Sequence, residues 1–207
     1  MQKVSFTTED GIKISANYWP SKSDKGVVLL HMLGRTKETW GGFPAEVNNA
    51  DFQVLAIDMR GHGGSGGGDF RNFTTKEWAD ALKDIKAAKE FLVKNGADAN
   101  GVYLIGGSIG ANLALNYAAQ DNSIKKIVLL SPGLDYRGIL TLPSMNEYKG
   151  AVFLASSSED VQSFDGTKQL YGAAKGSKEI REYENAGHGT NMLGKNNLNA
   201  EIISWME

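Results

Sequence analysis

Short runs of consecutive apolar residues recur along this chain, at 27–30, 52–57, 102–105, 127–130 and 151–155. A strand buried on both faces carries that pattern, whereas a half-exposed strand alternates. Alternation does occur at the start. Val4 and Phe6, then Ile12, Ile14, Ala16 and Tyr18, flank Glu9-Asp10-Gly11, which predicts an edge hairpin turning at Asp-Gly. Residues 20–26 read as a polar connector, and 180–183 as one further strand. Between the runs the period changes to that of helices. Thr74 with Glu77 three positions on forms a capping box, and Trp78, Leu82, Ile85, Ala88 and Leu92 follow at steps of three or four. Gly96 lies just past that helix. A second helix is predicted after Ser108, carrying Leu113, Ala114, Tyr117 and Ala118, a third over 167–174 and a last from Leu198 to Met206. Strands buried on both faces and alternating with helices imply an α/β architecture, a mostly parallel sheet inside a three-layer α/β/α sandwich. With no repeat and no long linker, 1–207 reads as one domain.

Composition narrows the chemistry. The net charge of −2, from 22 basic and 24 acidic residues, shows no basic cluster and argues against nucleic acid as partner. The absence of cysteine excludes disulfides, thiolate metal sites and a cysteine nucleophile. No stretch reaches the length of a membrane span and the N-terminus has no signal-peptide core, so the expectation is a soluble chain, cytoplasmic unless a leader has been removed.

The segment that carries chemistry is Gly106-Gly107-Ser108-Ile109-Gly110, G-x-S-x-G between a predicted strand and a predicted helix. Turning from strand to helix within a few residues strains the central serine and demands small neighbours. It also exposes the hydroxyl where a helix N-terminus offers free N–H groups, and the Ile109 amide is a candidate oxyanion donor. A serine hydroxyl needs a base. Of three histidines only His188, between Gly187 and Gly189, follows the serine. An acid after a preceding strand would orient its ring. Asp160 is favoured, with Asp135, Glu159 and Asp165 left open. The base must be neutral to act, so activity is expected to fall on acidification. Three histidines in separate loops match no metal-ligand spacing, and no cofactor is implied. Gly61 to Gly66 satisfies G-x-G-x-x-G, but loop rather than helix follows it, against a dinucleotide site.

Together these pieces resemble the α/β-hydrolase superfamily over nearly the whole chain. Beside the serine turn, His31-Met32-Leu33-Gly34 is similar to the family's His-Gly oxyanion loop. Asp58-Met59-Arg60-Gly61-His62-Gly63-Gly64-Ser65 is similar to its D-x-R-G-H-G-x-S segment, and Ala186-Gly187-His188-Gly189 to its histidine loop. The resemblance implies a sheet of eight strands, an order Ser, acid, His, the Leu33 amide as second oxyanion donor, and His31 and His62 as loop braces. Met32 departs from the family, which usually has glycine there. Larger relatives insert a helical cap after the sixth strand. Here residues 131–149 leave room for only a short helix near 137–140, so an open site for small ester substrates is expected, lined by Leu33, Trp40, Leu134, Tyr136 and Leu140. Compact relatives similar to dienelactone hydrolase are mostly carboxylesterases, thioesterases or peptidases, and a carboxylesterase is the preferred expectation. Acyl transfer, or a ligand-binding protein without catalysis, is the alternative.

Overall fold

The computed structural model describes residues 1–207. In chain order its strands are β1 (Gln2–Thr7), β2 (Lys13–Trp19), β3 (Gly26–Leu30), β4 (Gln53–Ile57), β5 (Val102–Gly107), β6 (Lys126–Leu130), β7 (Asp135–Tyr136), β8 (Ile139–Leu140), β9 (Ala151–Ser157) and β10 (Lys178–Tyr183). The helices are α1 (Phe43–Asn49), α2 (Thr75–Asp80), α3 (Leu82–Lys94), α4 (Ile109–Gln120), α5 (Leu142–Glu147), α6 (Val161–Ala173) and α7 (Leu198–Met206). Eight strands form one sheet in the order β1-β2-β4-β3-β5-β6-β9-β10. The pairings β1·β2 and β2·β4 are antiparallel and all others parallel.

The unbroken apolar runs are explained by burial on both faces. In β3, Val28 and Leu30 face one helical layer, and Val27 and Leu29 the other. The first layer takes Trp78 of α2, Ile85 and Leu92 of α3, Leu113 of α4, Met145 of α5 and Leu170 of α6. The second is α1 and α7, which bring Phe43, Val47, Leu198, Ile202 and Met206. Each such side chain, fully removed from water, contributes about 1.5–3 kcal/mol before chain entropy is charged against it.

Three expectations are corrected. The helix predicted from Thr74 is two helices that jog at Ala81, tightened by i to i+3 bonds from Ala81 N to Trp78 O and Asp84 N to Ala81 O. The jog comes just before buried Asp84, which accepts from Arg60 N at 2.8 Å and Arg60 Nε at 2.9 Å. The helix expected over 167–174 begins six residues earlier, at Val161. No helix forms at 137–140. A hairpin stands there instead, because Arg137 and Gly138 adopt φ 58° and 83°, the pair of positive angles that a two-residue turn needs, and Asp135 Oδ1 accepts from Gly138 N at 2.7 Å.

Parallel pairing decides where loops meet. The loops after β3, β5, β6, β9 and β10 all leave from the carboxyl edge, and β3 and β5 are neighbours although the sequence between them runs out to β4 and back. Such a reversal of strand order opens a crevice at the carboxyl ends.

Candidate active site

Ser108 stands at that crevice with φ 55° and ψ −124°, a strained conformation for a residue with a side chain. The turn is permitted only by its glycines. A Cβ on Gly106 would lie 2.2 Å from Gly110 O, and one on Gly110 would lie 2.3 Å from Leu30 O and 2.6 Å from His31 O. Gly110→Ala is therefore expected to destabilise the fold by about 1–3 kcal/mol through overpacking, measured by urea denaturation. An unchanged midpoint would mean that the turn is looser than this geometry.

The cavity over Ser108 measures about 290 Å³ and is lined by Leu33, Ile109, Asp135, Tyr136, Arg137, Asp160, Gln162 and His188 in addition to the serine. Ser108 and His188 thus come together across 80 residues, facing the same space without a direct hydrogen bond between them, as is common before substrate binds. Among the candidate acids, Asp160 is the one on the ring, with Nδ1 to Oδ2 at 2.5 Å. A carboxylate can only accept, so Nδ1 carries the proton and Nε2 is left with its lone pair. Asp135 lies on the cavity wall but spends one oxygen on Gly138 N. Glu159 faces the other way and holds the histidine loop, accepting from Gly187 N at 2.6 Å and Asn185 N at 2.8 Å. The Ser157 hydroxyl above all, with these backbone donors, lowers the Glu159 carboxyl pKa to about 2. Ser131, at the end of β6, accepts from Gly189 N at 2.9 Å and pins the same loop.

The two oxyanion candidates, Leu33 and Ile109, both border the cavity. Ile109 opens α4, where its N–H has no intrahelical acceptor. The peptide before Leu33 is oriented by His31, whose Nδ1 donates to Met32 O at 2.8 Å while Nε2 accepts from Met59 N at 3.0 Å. In a trans peptide the C=O and the following N–H point in opposite directions. Drawing the Met32 carbonyl to His31 therefore turns the Leu33 N–H the other way. The Met32 side chain does not enter the cavity. It packs beneath the histidine loop, where a Cβ on Gly189 would lie 2.5 Å from Met32 Sδ and Thr190 Oγ1 donates to that sulfur at 3.7 Å.

His62 Nε2 accepts from Gly34 N at 3.3 Å, and its ring stacks on Phe70 at 4.1 Å. Burial lowers the pKa of both braces, His31 to about 4. A histidine whose folded pKa lies below its unfolded value of about 6.5 stabilises fully above that value and loses the contribution as pH falls toward the folded pKa. Asp84, raised to about 6 by burial, acts in the opposite sense. The difference between variants isolates the histidine. Cooling of the thermal midpoint between pH 7 and pH 5 should be smaller in His31→Asn than in the parent, and an equal drop in both would refute the assignment.

Of the residues expected to line the pocket, Leu33 and Tyr136 do. Trp40 is 2% exposed in the core beside Phe43, because the short helical turn carrying it folds back onto β3 and β4. Leu134 is turned toward Gly166 of α6 and the core. Leu140 is 50% exposed, on the second strand of the hairpin and off the cavity wall. Arg137 and Gln162, which do reach the wall, carried no apolar signal by which a sequence search would select them.

A crossover sheet with a strained serine at this turn is the architecture of an α/β hydrolase. Residues 21–152 match the family model described as serine aminopeptidase, S33, and the chain belongs to that family. The match contains the loops of Leu33, Asp58 and Ser108 and stops short of Asp160 and His188. No curated protein sequence matches the chain. Solved structures similar to it include an esterase of Pyrococcus furiosus, Pf2001, at 21% identity and TM-score 0.74, covering 99% of this chain and 91% of that one. Est1E from Butyrivibrio proteoclasticus, solved with ferulic acid, has 18% identity and TM-score 0.82 over 98% and 97%. The monoacylglycerol lipase of Paleococcus ferrophilus has 19% and 0.78 over 93% and 98%. At such identities the likeness concerns the fold. No helix is long and apolar enough to cross a membrane.

Proposed function

We propose that the protein hydrolyses small carboxylic esters, with Ser108 as nucleophile, His188 as base and Asp160 as its orienting acid. The observation that carries this reading is one cavity holding a strained serine and a histidine whose Nδ1–H is committed to a carboxylate. In the first half-reaction the Ser108 proton passes to His188 Nε2 as Oγ bonds to the carbonyl carbon. The resulting oxyanion accepts from the Leu33 and Ile109 amides, and the imidazolium returns its proton to the departing alcohol. Water then repeats the sequence against the acyl-enzyme and releases the acid. Between β6 and β9 the chain adds only the β7–β8 hairpin and the six residues of α5 as regular elements, so no cap domain is inserted there. With about 290 Å³ available, short acyl groups are favoured.

A fluorophosphonate probe tests the chemistry. Covalent labelling is expected at Ser108 and is expected to vanish in Ser108→Ala; persistent labelling in that variant would refute the assignment, and an unlabelled parent would point to a binding protein. A series of 4-nitrophenyl esters tests the substrate, with kcat/KM expected to fall as the acyl chain lengthens from acetyl to octanoyl. The family's description favours one second reading, amide hydrolysis at a peptide N-terminus, and faster turnover of aminoacyl 4-nitroanilides than of the acetyl ester would select it.

A further inference from the structure

Arg137 lines the cavity over Ser108, yet its exposed guanidinium forms no ion pair or hydrogen bond within the chain. Arg60, Arg71 and Arg181 each hold a carboxylate. Arg35 also holds none, but it lies off the cavity wall. Arg137 further occupies the first turn position of the β7–β8 hairpin at φ 58°, where glycine or asparagine is relaxed and a long side chain is strained. Strain kept at a residue that lines a catalytic cavity points to a use for its side chain.

The hairpin holds that charge in place. Buried Asn112, one turn into α4 from the nucleophile, donates from Nδ2 to Ile139 O at 2.9 Å and accepts at Oδ1 from Gly133 N at 3.1 Å. Asn116, one turn further on, donates to Leu140 O at 2.8 Å. The turn seats on α2, where a Cβ on Gly138 would lie 2.4 Å from Thr75 Cγ2, and Tyr136 Oη lies 2.7 Å from Ser163 Oγ of α6. The Arg137 backbone is thus tied to the helix that Ser108 opens. Gln162, in the first turn of α6, brings to the wall a second side chain without a partner, an amide. The two carboxylates of the wall are engaged. Asp160 holds His188 Nδ1 at 2.5 Å and sits at the positive end of α6, and Asp135 holds Gly138 N at 2.7 Å. The cavity therefore offers a ligand one uncommitted cation and one uncommitted amide, beside the apolar side chains of Leu33 and Ile109.

Resting on the esterase reading, we infer that the ester substrates carry a carboxylate, and that Arg137 selects them by pairing with it while the scissile carbonyl lies at Ser108. A guanidinium fork meets a carboxylate with two parallel bonds, and Gln162 supplies a further donor. A neutral ester leaves the guanidinium to water and gains nothing from it. The cavity of about 290 Å³ sets the reach, since carboxylate and scissile carbonyl must stand only a few bonds apart to lie in it together. Because Arg137 is exposed, water and ions compete for the pairing, so the selectivity is moderate and weakens with salt.

Two pairs of esters place the charge on either side of the scissile bond: monomethyl glutarate against methyl valerate, and 4-acetoxybenzoate against 4-methylphenyl acetate. Each pair is read as the carboxylate-to-neutral ratio of kcat/KM, and comparing variant with parent cancels the intrinsic reactivity of the esters. In Arg137→Gln the ratio is expected to fall about fivefold for at least one pair, mainly through KM, and in Arg137→Glu about tenfold or more. The pair that responds identifies the side on which the charge is borne. Raising salt from about 0.02 M to about 1 M should bring the parental ratio toward that of Arg137→Gln. Arg137→Gly, relaxed at φ 58°, should lose the same preference while melting at or above the parental temperature, so that the loss is not a loss of fold. Ratios within twofold of the parent for both pairs in Arg137→Gln and Arg137→Glu, with Ser108→Ala inactive, would overturn this assignment and leave the esterase reading intact. Undiminished hydrolysis in Ser108→Ala, or a parent that cleaves none of the four esters, would overturn both.

Discussion

Ser108→Ala is expected to lower kcat for a short-chain ester by about 10⁶-fold, while the protein unfolds at an unchanged temperature or a slightly higher one. The size follows from removing the atom that, on the proposed mechanism, forms the covalent intermediate. Residues that act as one unit lose nearly the whole of their joint effect when the nucleophile goes, and what survives is the contribution of oxyanion donors and substrate placement. The direction of the stability change follows from local geometry. The serine holds φ 55°, and its backbone N donates to Leu130 O at 2.9 Å whichever side chain is present. Alanine therefore keeps the turn, its strain and that bond. The hydroxyl that is lost faces a cavity and holds no buried bond of the core. Steady-state rates with an active-site titrant, beside a thermal melt, check both halves. A variant retaining more than one per cent of parental kcat would exclude Ser108 as nucleophile.

The second large effect belongs to Asp160→Asn, expected to reduce kcat by about 10⁴-fold near neutral pH. Asparagine occupies the same volume but offers an NH₂ group to Nδ1 as readily as a carbonyl. The ring can then protonate at Nε2, the atom that must accept from Ser108, and the imidazolium loses the negative charge that stabilises it. Loop position is not at stake, because Glu159 and Ser131 hold Asn185, Gly187 and Gly189 without Asp160. Melting temperature should accordingly stay within a few degrees while activity collapses. Asp135→Asn is the control, expected to leave kcat within a few-fold, since that carboxylate bonds Gly138 and not the imidazole. A large loss in the control with little loss in Asp160→Asn would reverse the assignment.

Acidity separates the roles of the histidines. His31 is buried and neutral, and its protonation costs stability; His188 is half-buried, and on the proposed mechanism its protonation would cost activity. Because Nε2 of His31 accepts from Met59 N, a proton there also breaks the bond that steadies the loop bearing Leu33. Protonation of His31, whose pKa burial lowers to about 4, therefore disturbs the loop bearing Leu33 as well as costing stability.

How much of this was legible along the chain depended on the distance over which each feature is decided. Strands buried on both faces need apolar side chains at every position, so runs such as 127–130 and 151–155 marked β6 and β9 with ends displaced by no more than two residues. The serine turn is partly local: the strand, the glycines and the helix are consecutive, and Gly106 is required by Gly110 O within the motif, whereas Gly110 is required by the distant carbonyls of Leu30 and His31. The hairpin at 135–140 was missed although its turn is local, since Arg137 in a positive-φ position carries none of the usual Asn or Gly preference at its first turn residue.

The layers, the serine turn and a short set of polar residues around it are written in near-neighbour patterns, because periodicity and turn chemistry act over a few residues. Only the packed strands and loops settle which carboxylate meets His188, which side chains wall the cavity, and that Arg137 and Gln162 reach it. Those choices rest on strands of one sheet lying side by side in an order different from their order in the chain. Pairing β6 with both β5 and β9, and β9 with β10, carries residues 108, 136, 160 and 188 to one edge, and no local pattern encodes the half-turn of a loop that points Asp160 at the ring and Asp135 away from it.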